Sequence, residues 1–254
     1  MIHASAESAP SLWTSRPKAA PLSNVAARRY ARAMRILPSL AALTLLVAPL
    51  PALACSPVAG YRIPTNLELV GQADMIVLAT VTGGTPVETG AESMRIDIRP
   101  DAVLKGDPAA APTSLAIALA TDRYALPSNP YDLAEAHPLA FIGGCYRYMV
   151  PKGSRLLFLL RGTAEHWIPA GGPFSRWAED VLTDDAPWLD AVKFYIDVQK
   201  LPESDRQAAL EKRRDELRAK QGDFIAQLLA EDIDRQLAGP NRPLREELPP
   251  APED

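Results

Sequence analysis

His166 directly follows Glu165, and an imidazole beside a carboxylate is the smallest pairing that can accept and release a proton near neutral pH. A hydrolase acting through His166 would also need an activated nucleophile, and no nucleophile motif accompanies the pair. His166 therefore reads first as a polar residue at a strand edge, with hydrolysis through His166 as the alternative. Metal chemistry fares no better. The chain has two cysteines, Cys55 and Cys145, and three histidines, His3, His137 and His166, spread too widely for a zinc-ligand spacing. Asp180, Asp184 and Asp185 bring carboxylates together but lack the ordered ligand spacing of a calcium loop. Gly83-Gly84 and Gly171-Gly172-Pro173 match no phosphate-cradling loop and read as turns. No catalytic residue, metal or cofactor is expected from these patterns.

Charge excludes a further class of partner. Six of the 27 Lys and Arg residues precede Cys55, against one of the 31 Asp and Glu residues, so residues 55–254 carry a formal charge of −9. A chain this acidic has no basic face for a nucleic-acid backbone. It is equally unsuited to anionic lipid. The mixed-sign run Glu211–Glu216 reads as a solvated helix face.

The amino-terminal region predicts export. Arg28, Arg29, Arg32 and Arg35 precede an uncharged apolar run over 36–47, and Ala52-Leu53-Ala54 offers a small-x-small cleavage site before Cys55. The run is too short to cross a bilayer as a helix, so the mature chain is expected to have no transmembrane segment. Met34 stands where a compact leader would begin, which leaves the translation of residues 1–33 open. The expected location is the periplasm or the medium, with cleavage after Ala54. A lipid anchor on Cys55 is the alternative, because lipoproteins also begin with cysteine. An even cysteine count in an oxidising compartment argues instead for a disulfide between Cys55 and Cys145. The two fates of the Cys55 sulfur exclude each other.

The elements that must carry these residues fall into two groups. Thr65–Ala73 predicts a short helix, and Met75–Val81 a buried strand ending at Gly83-Gly84. Met94–Ile98, extending toward Leu104, alternates as a half-buried strand should. Ser114–Leu119, Tyr146–Val150 and Arg155–Arg161 are further strands, with His166–Ile168 a possible last one, and 122–140 reads as a long loop. Beyond them, Pro187-Trp188 opens a helix, Pro202–Lys220 forms a second, and Asp223 caps a third that Gly239-Pro240 ends. Trp167, Phe174, Trp177 and Trp188 fall between the two groups, as an apolar seam or a ligand groove. Strands followed by helices predict an α+β fold.

The amino-terminal Cys55-Ser56-Pro57-Val58, the short helix ending at Ala73-Asp74 and the strand Met75–Val81 resemble the start of a netrin-like or TIMP-like module. Gly143-Gly144-Cys145-Tyr146, followed by Val150–Phe158, is similar to the later part of that pattern, and Ala102–Gly106 to a strand end in its bacterial members. The resemblance implies an OB-type, five-stranded β-barrel over residues 55–170, with its amino-terminal cysteine tied to the strand region near Cys145. Residues 171–238 would then be a helical appendage and 239–254 a disordered tail. It also implies a second alternative, inhibition of a metalloprotease through zinc chelation by the free amine of Cys55, with Ser56 beside it. Pro57 stands where that family's pattern would place another cysteine. The function expected is an exported, non-enzymatic binding module, its partner an extracytoplasmic protein or a small ligand.

Overall fold

The structure is a computed structural model that describes residues 57–86, 94–121, 126–142, 144–163 and 166–245. The leader, Cys55, Ser56 and Glu165 lie outside the described residues. The chain is α+β, with an antiparallel sheet and four α-helices among the described residues. No helix among them is long and apolar enough to cross a membrane.

Helix α1 (Asn66–Gln72) begins at a capping box. Thr65 accepts from the Glu68 backbone N–H through its hydroxyl, and the Glu68 carboxylate accepts from the Thr65 N–H in return. Strand β1 (Met75–Gly84) follows and pairs antiparallel with β2 (Ile96–Lys105) on one side and β6 (Arg155–Gly162) on the other. Alternation along β1 and β6 sends side chains to opposite faces, and both faces are buried. Ile76, Leu78, Leu157 and Leu159 pack against α1 and the carboxy-terminal helices. Met75, Val77, Leu156, Phe158 and Leu160 pack into a second core with Ile96, Ile98, Leu115 and Trp177. Burial on both faces is why these strands read as continuous apolar runs rather than alternating ones.

The expected strand over 114–119 is two short pieces, β3 (Ser114–Leu115) on the edge of β2 and β4 (Ala118–Ala120). The chain turns between them, with Ile117 N–H donating to Leu115 C=O, and β4 then runs parallel to β5 (Met149–Pro151). The sheet order is β3-β2-β1-β6-β7, with β8 also on β6 and β4–β5 a separate pair. Among the described residues no ladder closes this sheet into a barrel, because β3 ends after two residues and its continuation pairs elsewhere.

Strands β7 (Trp167–Pro169) and β8 (Ala178–Asp180) share one edge of β6, at opposite ends of it. The chain leaves that edge where Ala170 N–H donates to Leu159 C=O and returns where Leu159 N–H donates to Trp177 C=O. Residues 171–176 therefore stand out of the sheet as an excursion. Helices α2 (Pro187–Lys200), α3 (Glu203–Arg218) and α4 (Phe224–Leu237) follow, and their apolar residues join the same core as α1 and the outer face of β1 and β6. Of the segment read as a tail, Leu244 N–H donates to Tyr61 C=O and Arg245 C=O accepts from Gly60 N–H.

Candidate functional site: an aromatic cleft beside Cys145

The excursion of residues 171–176 faces the segment 144–148, and a cleft of about 550 Å³ opens between them. Tyr146, Tyr148 and Trp177 supply its aromatic wall, Ile117, Ile168 and Pro169 its aliphatic wall, and Arg161 and Gln72 its polar rim. Tyr146 lies in the bend after the left-handed Cys145 and Tyr148 just before β5, and both rings line the cleft. Arg161 lies close enough to Tyr146 to favour its phenolate, yet burial outweighs that and pushes the Tyr146 hydroxyl up. The Tyr146 hydroxyl therefore stays protonated at neutral pH.

Beneath the aromatic wall lies a buried ion pair. Arg147 Nη1 stands 2.8 Å from Asp180 Oδ2, with the two side chains only 1 % and 4 % exposed. Nη1 also donates to Ser128 Oγ and the Ala178 carbonyl, and Nη2 to the Leu126 carbonyl, all at 3.2 Å. Ser128 N–H donates to the same Asp180 oxygen, so the loop carrying Ser128 is fastened to β8 through this pair. Arg147 Nε–H is left without an acceptor, and so is Trp177 Nε1–H. Removing a buried polar group from water without replacing its hydrogen bond costs about 1–3 kcal/mol.

The backbone around the cleft is strained. Cys145 and Phe174 have φ of 58° and 59°, and they are the non-glycine residues with positive φ among those described. Phe174 N–H donates to Cys145 C=O at 2.6 Å, so the two strained positions hold each other. Gly171 and Gly172, at 80° and 76°, precede Phe174. A side chain at Gly171 would meet Leu69 Cδ1 at 2.5 Å, so the excursion also needs glycine for close approach to α1. Left-handed non-glycine residues cost on the order of 1–3 kcal/mol each and gather at ligand sites and switches.

The residues singled out by sequence are dispersed. His166 is exposed in the turn between β6 and β7, where its N–H donates to Thr163 Oγ1 and its C=O accepts from the same hydroxyl. It lines none of the cavities described here. Asp180 is consumed by Arg147, Asp184 pairs with Arg155 at 2.6 Å, and no group of three metal-ligating side chains exists among the described residues. Among the four aromatics of the expected seam, Trp177 lies in the sheet core and lines the cleft, and Trp188 lies in the helical core. Phe174 stacks on Phe141 at 5.2 Å, and Trp167 packs on the sheet core. Cys145 borders the cleft, and among the described residues no cysteine is free. Sequence reasoning missed Arg147, Arg161, Tyr146 and Tyr148 as cleft residues. The available signal was the density of polar and aromatic side chains in Tyr146-Arg147-Tyr148 directly after Gly144-Cys145.

A second cavity, of about 710 Å³, lies under the loop 127–142. It holds charges of both signs, including Arg176 and Glu179, which stand 3.7 Å apart and are nearly fully buried. The cleft beside Cys145 differs in having no carboxylate in its lining and a strained backbone on both sides. The chain matches no protein-family model, no curated protein and no solved structure.

Proposed function

We propose that this protein is an exported, non-enzymatic binding module built on a small OB-type architecture, and that its site is the cleft between residues 144–148 and 171–176. Its mature chain begins at Cys55 in this reading, and a disulfide joins Cys55 to Cys145 at the cleft border. The observation that carries the binding role is the pair of left-handed residues, Cys145 and Phe174, locked together at the edge of an aromatic-lined cleft. A fold with no use for the cleft would lower its energy by relaxing that backbone or closing Tyr146 and Tyr148 onto Trp177. The OB-type reading draws support from the parallel β4–β5 pair, which follows β3, leads into β6 and contributes Leu119 and Val150 to the core that contains Trp177.

The test is thermal stabilisation of the purified mature protein by a fragment library of acids, bases and neutral compounds, alongside an Ala116→Trp variant. Ala116 is exposed and lines the cleft, so the indole fills the cleft without entering the core. Fragments should raise the melting temperature of the wild type and fail to raise that of Ala116→Trp. A library that stabilises neither protein at millimolar concentration, or both equally, would remove the cleft as the site.

A further inference from the structure

We infer that the cleft beside Cys145 selects an anion carried on a flat apolar body, such as an aromatic or conjugated carboxylate. This rests on the binding reading above and adds the chemical class of the ligand.

The polar side chains lining the cleft are Gln72, Tyr146, Arg147, Tyr148, Arg161 and Trp177. Each can donate a hydrogen bond, three of them (the two arginines and Trp177) can do nothing else, and no Asp or Glu joins them. The charge of Arg147 is balanced by Asp180, which leaves Arg161 as the net charge of the lining. Arg161 is exposed and has no carboxylate partner among the described residues. Its guanidinium is a fork suited to two oxygens of one carboxylate. Burial keeps Tyr146 protonated, so its hydroxyl remains a donor beside Arg161. Two further donors, Arg147 Nε–H and Trp177 Nε1–H, are buried in the wall without acceptors. The unmet hydrogen bonds are thus of one kind, donors in search of an acceptor. The remaining lining, Ile117, Ile168, Pro169 and the ring faces of Tyr146, Tyr148 and Trp177, suits a planar apolar body. A positive cleft on a chain of net negative charge also draws an anion by contrast with its surroundings.

The probes are 2-naphthoate, its neutral amide and the cationic 2-naphthylmethylammonium, which share one ring system and differ in the group presented to Arg161. Affinities come from calorimetry, and contact with the buried donor from the indole N–H resonance of Trp177, assigned with Trp177→Phe. The naphthoate should bind about tenfold tighter than the amide, the scale of one hydrogen bond to a charged group, and the ammonium should not bind. Naphthoate should shift the Trp177 indole proton downfield, and Arg161→Gln should cost naphthoate about tenfold in affinity and the amide less. Equal binding of acid and amide, tighter binding of the ammonium, or a Trp177 resonance that stays still under saturating naphthoate would each overturn the anion class. If the library of the preceding test yields neutral or basic cleft ligands while naphthoate does not bind, the ligand class is wrong and the binding site stands. If nothing binds the open cleft, both are wrong.

Discussion

His137 is a buried imidazole whose two nitrogens have fixed roles. Its Nδ1 accepts from the Leu139 N–H at 3.1 Å, capping the short 3-10 turn Pro138–Phe141, and its Nε2 donates to the Leu126 carbonyl at 2.8 Å. That arrangement is satisfied only by the neutral ring, because a second proton on Nδ1 would displace the capping bond. Burial, reinforced by the positive charge of Arg147, holds the His137 pKa down at about 4. An unfolded histidine takes up its proton near pH 6.5. Between pH 6.5 and about 4 the unfolded chain therefore binds the proton that the folded chain refuses, and stability falls as pH falls through that window. His137→Gln can make both hydrogen bonds without titrating. Urea melts at pH 7 and pH 4.5 should show the wild type losing more stability than His137→Gln over that interval. Equal losses in the two proteins would remove His137 as the acid-sensitive group. No feature of the sequence around 137 announces this role, since it depends on a carbonyl 11 residues away and an arginine on another segment.

Elements join through buried polar contacts where the helices meet. Asp232 of α4 is fully buried, and its Oδ2 accepts the Tyr195 hydroxyl of α2 at 2.6 Å. Its Oδ1 accepts from Asn66 at the start of α1 and from Arg235 of α4, both at 2.9 Å. Gln236 extends the network by accepting from the Leu67 N–H, and Gln199 of α2 donates to the Leu67 carbonyl. Burial raises the Asp232 pKa against the pull of these donors, and burial with the neighbouring carboxylate drives the Tyr195 hydroxyl far above its ordinary range. Tyr195→Phe removes one donor to a buried carboxylate without changing the packed ring. It should cost about 1.5–3 kcal/mol in a denaturant melt, and Asp232→Ala should cost more because it orphans several donors at once. The double variant should lose less than the sum, as expected of residues sharing one network. A Tyr195→Phe variant as stable as the wild type would mean that the network contributes nothing net. The helices themselves were legible, because each boundary is written locally: the Thr65 box, Pro187 in a first turn, Asp223 accepting from the Ala226 N–H. Strand pairing was not. Strand β8 is three residues with two charges, Ala178-Glu179-Asp180, and only its ladder on β6 makes it a strand.

At the scale of the molecule, the order of strands before helices was sufficient to predict α+β, and the two apolar runs at 75–81 and 155–161 marked its central strands. The cleft was illegible because it depends on β7 and β8 sharing one edge of β6, which throws residues 171–176 out opposite 144–148. That same crossing gives physical ground for the disulfide expected between Cys55 and Cys145. The Tyr61 hydroxyl hydrogen-bonds to the Pro173 carbonyl at 2.5 Å, and Phe174, next in the chain, donates to Cys145 C=O. Burial, with a smaller contribution from Tyr146, pushes the Tyr61 hydroxyl up to about 12, and that hydroxyl also reaches the Gly171 carbonyl at 3.3 Å, so Tyr61 is held against the excursion that carries Phe174. Five residues separate Cys55 from Tyr61, and the six Cα-to-Cα steps reach up to about 20 Å when extended. A bridge there would close a loop of about 90 residues and brace the left-handed Cys145, with a stabilisation of roughly 4 kcal/mol on the chain-entropy account. Cys55→Ser and Cys145→Ser should each cost about 2–5 kcal/mol, and the double variant little more than either, since the two act as one unit. The intact mass of the mature chain should be two hydrogens below that of the reduced sequence, with no uptake of a thiol reagent before reduction. Both single variants should also bind cleft ligands more weakly, because the strained border they release forms one wall of the cleft. A mass raised by a diacylglycerol and an acyl chain would make Cys55 a lipid anchor instead, and serine variants with unchanged melts would deny the bridge any structural role.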